Sequence, residues 1–370
     1  MSSNVDAIVV GGGQSGLAAA HHLTHAGLQA TVLEAGPEPV GSWPHYYDSL
    51  TLFSPARYSS LPGRPFPGDP DHYPDRDEVV EYLRDYATHL SADIRTDIRV
   101  TTATPDSTGF AVHTDTGEVF TAPLLIAATG GFGNPHRPDL PGRDRFVGTV
   151  MHAADYRTPA RFADHHVVVV GAGNSAVQIA VELAETAATV TLAARRPPKV
   201  VAQQAFGRDI HYWFTRTGLD TAPVGRFVER PPTVPIFDTG HYKSALAAGR
   251  PAVRPMFTGL DTESAHWPDG TTTPVQTVIT ATGYRPDLGW LTGLGALTTD
   301  GAPRHREGLS TTHPGLGYLG LEWQRSLSSA SLRGVGRDAA RLVTRLARTP
   351  VSVRGSAEWP GTSGSRLGRR

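Results

Sequence analysis

The chain contains no cysteine. That excludes structural disulfides, thiolate metal sites and any Cys-x-x-Cys redox pair. Lysine is nearly missing too: Lys199 and Lys243 stand alone beside an arginine-dominated basic set. Formal net charge is −1 and no basic block occurs, so no nucleic-acid partner is expected. No apolar run approaches the ~18 residues of a membrane span, so no membrane partner is expected either. The start, "MSSNVDAIVV", lacks the charged region and cleavage site of a signal peptide, and the expected location is cytoplasmic. Histidines number 16, but doublets such as His21 and His22 have no further ligands at metal spacing, so no metal site is expected. With 39% hydrophobic and 19% charged residues among 370, the chain can bury a substantial core in two or three domains.

What is present is a pattern that occurs twice. Residues 6–36 and 166–196 each read as an apolar strand, a glycine turn, an alanine-rich helix and a second β-branched strand. A strand–helix–strand unit repeated in this way predicts α/β architecture with parallel sheets and right-handed connections. Between the units, residues 41–74 are rich in proline, glycine and aromatics and predict an irregular segment lining a cavity. Residues 75–90 predict a helix capped near Asp75 or Asp77. Residues 98–130 alternate and turn like a β-meander that returns to the sheet. Residues 331–347 predict a closing helix, and 351–370 a flexible tail.

The first turn is Gly11-x-Gly13-x-x-Gly16, with Gln14 and Ser15 opening the helix and Glu34 ending the next strand. The first glycine permits the tight turn, the second admits a pyrophosphate, and the third lets helix and strand pack closely. A carboxylate at position 34 suits the free hydroxyls of an adenine ribose, as in FAD. The second turn is Gly171-x-Gly173-x-x-Ala176, with Asn174 and Ser175 entering the helix. Where the first unit has Glu34, this one has Ala194 followed by Arg195 and Arg196. Loss of the carboxylate and gain of two guanidinium groups suits a 2′-phosphate, so the second cofactor is expected to be NADPH.

Immediately before the second unit runs "FVGTVMHAADY", residues 146–156. Phe146, Gly148, His152 and Tyr156 match a linker motif, FxGxxxHxxx(Y/F), and with it the chain resembles the flavin-containing monooxygenases (class B flavoprotein monooxygenases). Residues 41–63, 73–87, 281–287 and 321–339 look most like the compact bacterial branch, similar to flavoproteins linked to potassium transport or arsenical oxidation and to the plant auxin-forming monooxygenases.

The resemblance implies two three-layer, Rossmann-like dinucleotide-binding domains, the NADPH domain (157–277) inserted into an FAD domain (1–156 and 278–350). It implies an NADPH-consuming, FAD-dependent enzyme that inserts one atom of O2 into a small molecule through a flavin C4a-(hydro)peroxide, by heteroatom oxygenation or a Baeyer–Villiger outcome. Ser42, Trp43, Gln324 and Gly336 join the glycine turn as expected FAD contacts, with Trp323 and Gly334 nearby. Phe53 and Ser54 occupy the segment where many relatives hold an asparagine near the reacting flavin atom. His152 is expected to position rather than react, with Gly148 as a turn and Phe146 and Tyr156 as anchors of a hinge. Residues 45–58 and 203–214 are the expected substrate walls. Rival readings are a flavoprotein reductase without oxygenation and a non-enzymatic flavin sensor; a homodimer is compatible with the sequence but unspecified by it.

Overall fold

The computed structural model describes residues 5–228, 235–238 and 240–348. The expected tail at 351–370 lies outside the described residues. The first unit forms as its pattern dictates. Strand β1 (Ala7–Val10) runs into the glycine turn, helix α1 (Gln14–His25) follows, and β2 (Ala30–Leu33) pairs parallel to β1. Helix α2 (Arg76–Thr88) starts at Asp75, whose carboxylate accepts the Glu78 N–H while the Glu78 side chain accepts the Asp75 N–H. This reciprocal cap satisfies two backbone donors that a bare helix start leaves open. Strand β3 (Asp93–Arg95) joins β2.

The meander follows as β4 (Val100–Asp106), β5 (Gly109–Thr114) and β6 (Val119–Ala122), antiparallel throughout. Strand β7 (Leu124–Ala127) then pairs with β1. Strand 316–318 lies on the other side of β7, and two short strands at 305–306 and 309–310 complete a seven-stranded sheet. One face packs on α1, α2 and α6 (Leu332–Leu346) through Val9, Val32, Ile126, Leu17 and Val335. The other packs on the meander and the 289–294 turn through Ile8, Leu33, Leu125, Phe110 and Leu291. Period-two alternation of entirely apolar strands explains why both faces are covered.

The second unit repeats the plan. Strands β8 (Thr149–His152), 277–280, β9 (His166–Val170), β10 (Thr189–Ala194) and 252–255 form a five-stranded parallel sheet. Helix α3 (Asn174–Leu183) and helix α5 (His241–Ala247) cover one face, with α4 (Ile210–Thr217) between them in the chain. A three-stranded antiparallel layer at 259–274 covers the other, with Leu260, Ala265 and Trp267 against Val168 and Val278. The chain is thus α/β, with two three-layer dinucleotide-binding-like units.

The pairing corrects the expected boundaries. Both β8 and strand 277–280 belong to the second sheet, so that unit starts before 157 and extends past 277. The chain crosses at 128–136 and returns at 281–287. These two stretches run antiparallel, with a bridge between Pro135 and Tyr284 and hydrogen bonds from Arg285 N–H to Asn134 O (2.9 Å) and from His136 N–H to Gly283 O (2.9 Å).

Candidate functional site

A cleft of about 1090 Å³ opens in the first unit and is bounded on one side by the crossover stretches at 128–133 and 284–287. Its floor is the first glycine turn. Gly11 has φ +103°, and a Cβ there would lie 2.5 Å from Ala128 O; at Gly16 a Cβ would lie 1.8 Å from Gly11 O. Any side chain at either position breaks the turn. The N-terminus of α1 opens toward the cleft beside Gly13, Gln14 and Ser15. Glu34 is buried behind the turn, its Oε2 accepting the Gly12 N–H (2.6 Å) and its Oε1 the Gly36 N–H (2.8 Å). The side chain therefore ties the turn together as well as facing the cleft. Gln14 bridges two walls: its amide donates to Ala330 O (2.8 Å), and its Oε1 accepts from the Trp43 indole (3.2 Å).

Aromatic rings line the side between the units. Tyr46 meets Phe132 edge-on at 4.8 Å, Phe132 stacks on Tyr284 at 5.3 Å, and Trp43 lies 5.7 Å from Tyr46. Beyond them, His152 packs edge-on against Tyr284 at 5.2 Å. His152 is fully buried, and its Nδ1 accepts the Ala154 N–H (3.0 Å), which leaves the ring proton on Nε2. Burial holds its pKa below the ordinary value, so the ring is neutral at physiological pH. Burial likewise pushes the Tyr46 and Tyr284 phenols above their usual range.

Segment 43–50 belongs to the first unit by sequence but reaches into the second. Tyr47 is buried in the apolar cluster of α3 and β9, its hydroxyl on the Gln178 side chain. The neighbouring Tyr46 carbonyl accepts from Arg76 (2.9 Å) and Arg157 (2.8 Å), one from each unit. A second tie is Asp209. Its carboxylate accepts from Tyr73 O–H (2.6 Å), Gln203 (2.7 Å), and the His211 backbone N–H (2.7 Å) and Nδ1 (2.8 Å). A third joins Arg333 to Asp220 (3.1 Å) and Arg325 to Thr221 O (2.9 Å).

Most expected contact residues line the cleft: Gly11, Gly13, Gln14, Ser15, Glu34, Ser42, Trp43, Phe53 and Ser54. Ser54 Oγ is already paired with Ser59 Oγ at 2.9 Å. In the second turn Gly171 has φ +148°, a Cβ on Gly173 would meet nothing within 4 Å, and Ala176 is buried under the strand. Asn174 and Ser175 begin α3. Arg195 and Arg196 are exposed at the end of β10 and make no ion pair with a described residue.

Four expectations are corrected. Gln324 and Trp323 do not line the cleft: Gln324 is buried against Gly308, and Trp323 O abuts Gly225. Gly334 and Gly336 lie inside α6, where a Cβ would strike Ser328 O (2.1 Å) or Pro62 (2.4 Å); they serve packing, and Ala330 to Arg333 face the cleft instead. Residues 203–214 pack behind Phe53, with Gln203 donating to Phe53 O (2.9 Å), so they support the wall without forming it. Finally, 146–156 does not lie at the crossing between the units but inside the second one, where 149–152 forms β8. Gly148 has no left-handed backbone; a Cβ there would lie 2.4 Å from the Phe146 ring and 2.5 Å from Gln276 O. Phe146 and Tyr156 are buried on opposite faces of the second sheet, Tyr156 donating to Glu182 (2.7 Å). Tyr46 falls within the expected 45–58 wall, whereas sequence reasoning missed Phe132, Tyr284 and Glu322; the Phe after "ATGG" was an available signal.

Comparison with known proteins agrees with this geometry. Residues 8–217 match the family described as pyridine nucleotide-disulphide oxidoreductase. A CzcO-like oxidoreductase of Geobacillus kaustophilus, itself uncharacterized, is 33% identical over 93% of this chain and 98% of its own. An indole-3-pyruvate monooxygenase (YUCCA1) of Oryza sativa subsp. japonica is 32% identical over 82% and 81%. The structure of a flavin-containing monooxygenase from Stenotrophomonas maltophilia superposes with a TM-score of 0.82 at 33% identity, covering 94% of this chain and 99% of that one. Cyclohexanone monooxygenase, at 19% identity and a TM-score of 0.65, shares the fold. Among the described residues no helix is long and apolar enough to cross a membrane, and no His/Asp/Glu cluster could hold a metal. The chain belongs to the pyridine nucleotide-disulphide oxidoreductase family, a flavoprotein whose relatives are flavin monooxygenases and CzcO-like oxidoreductases.

Proposed function

We propose that this protein is an FAD-dependent, NADPH-consuming monooxygenase acting on a small organic molecule. The observation that carries the reading is the presence of two glycine cradles, one backed by Glu34 on the floor of an aromatic cleft, the other followed by Ala194, Arg195 and Arg196. The cradles fit their cofactors: a Cβ would destroy the first, and open space lies before Gly173 in the second. When bound, the flavin would take hydride from the nicotinamide and activate O2.

The chain's own residues supply the rest. Backbone N–H groups at the starts of α1 and α3 bind the diphosphates. Glu34 accepts an adenine-ribose hydroxyl, and Arg195 with Arg196 grips the 2′-phosphate. Trp43, Tyr46, Phe132 and Tyr284 exclude water from the reaction zone, with Phe53 and Ser54 as a further wall. Neutral His152 holds Tyr284 in place without taking part in proton transfer. The family's thiol chemistry is closed to this chain, which has no cysteine.

The test is reconstitution with FAD, followed by NADPH oxidation and O2 uptake with a panel of amines, sulfides and ketones. Substrate-dependent oxygen incorporation from labelled O2 supports the reading. NADPH oxidation that proceeds only with an artificial electron acceptor overturns it in favour of a reductase. Failure to take up FAD overturns it altogether.

A further inference from the structure

Three carboxylates line the cleft: Glu34, Asp287 and Glu322. Glu34 is held by two backbone N–H groups. Glu322 makes no hydrogen bond or ion pair with a described residue. It follows Gly320 and Leu321 beyond strand 316–318 and lines the cleft close enough for its charge to act on the Tyr46 phenol. Its side chain is exposed to solvent in the open cleft, and the protein around it already raises its proton affinity by partial desolvation.

The surrounding charged groups offer it no counter-ion. Arg333 on α6 is committed to Asp220, Arg325 to Asp338, and Arg76 and Arg157 to the Tyr46 carbonyl. Arg285 and Arg99 line the cleft without pairing with it, and the phenols of Tyr46 and Tyr284 are held protonated by burial. His45 also lines this side. Dinucleotides bring phosphate charge and expel water. An unpaired carboxylate is disfavoured in that setting, whereas a neutral carboxyl group contributes one O–H donor.

We propose that Glu322 is a neutral carboxylic acid in the filled cleft, donating its proton in a hydrogen bond to a carbonyl oxygen of a bound nucleotide ring. The inference rests on the dinucleotide reading above. The acceptor is a ring carbonyl of the flavin or the carboxamide of the nicotinamide, and the arms of one experiment separate them. Infrared difference spectra are taken between wild type and Glu322→Gln, both FAD-loaded, with and without NADP+. A protonated-carboxyl band at neutral pH with FAD alone assigns the flavin; a band that forms only on adding NADP+ assigns the nicotinamide.

A binding titration gives the second readout. In wild type the dissociation constant of that nucleotide rises about tenfold as pH climbs through the Glu322 ionisation. In Glu322→Gln, which keeps a donor but cannot ionise, affinity stays high and flat with pH. In Glu322→Ala it is weak throughout. An ionised carboxylate in both states, or the same pH profile in wild type and Glu322→Gln, overturns the assignment. Should the glutamine variant not accumulate, Glu322→Asp is read by the same infrared shift. Wild type that takes up no FAD refutes the proposed function; wild type that takes it up without the band refutes only the role of Glu322.

Discussion

Glu34→Gln separates two roles that one side chain carries. Each carboxylate oxygen accepts a backbone N–H, from Gly12 at 2.6 Å and from Gly36 at 2.8 Å, in a site only 7% exposed. Glutamine retains one oxygen and turns an NH2 toward the other backbone donor. One hydrogen bond to a charged acceptor is lost, and two donors are left facing each other. Such bonds contribute about 1.5–3 kcal/mol, so the FAD-free protein should lose about 2–3 kcal/mol. Urea unfolding of apoprotein reads this as a lower midpoint at unchanged slope. The same substitution weakens the bond to the adenine ribose, and the FAD dissociation constant, measured by flavin fluorescence, should rise about 10–100-fold. An unchanged urea midpoint refutes the turn-tying role. Unchanged FAD affinity refutes the ribose assignment, whatever the midpoint does.

Arg195→Ala should raise the NADPH Michaelis constant about 10–100-fold while moving that for NADH less than about threefold, since only the former has the 2′-phosphate; equal effects would remove the phosphate from Arg195. Gly148→Ala should lower stability by about 1–3 kcal/mol or more, because its Cβ would press on the Phe146 ring and on Gln276 O, which is itself held by the Thr149 N–H at 2.9 Å; a thermal midpoint equal to wild type would show that the contact relaxes freely. His21 has its pKa lowered to about 4 by burial and then by neighbouring His25 and His22, against 6.5 unfolded. Below 6.5 the unfolded chain therefore binds more protons, and stability falls as pH drops toward about 4. His21→Asn should flatten that part of the stability profile, modestly because the ring is partly exposed; an unaltered slope would assign the acid sensitivity elsewhere.

The glycine turns, Glu34 and the Asp75 cap were legible in the sequence because their physics is local: a turn, a strand end and a helix start lie within a few residues of one another. The sheet boundaries were not. Strand β8 looks like linker until its partner at 277–280 arrives, and parallel pairing over that separation leaves no local trace. Gly148 was legible as an obligatory glycine but not for its reason, which is a ring and a carbonyl brought in by folding. Gln324 and Glu322 are two residues apart and equally polar in sequence. Only the positive φ of the intervening Trp323 (54°) and the packing against Gly308 decide that the glutamine turns inward and the glutamate faces the cleft.

The intrusion of Tyr47 into the neighbouring unit's interior bears on modularity. A fragment spanning only the inserted half would carry a vacancy the size of a phenol where that ring belongs, and the complementary fragment would carry an orphaned ring in water. The inserted half is therefore no cassette to be traded among relatives for a new cofactor preference. A productive chimera has to carry the 43–50 segment along with it.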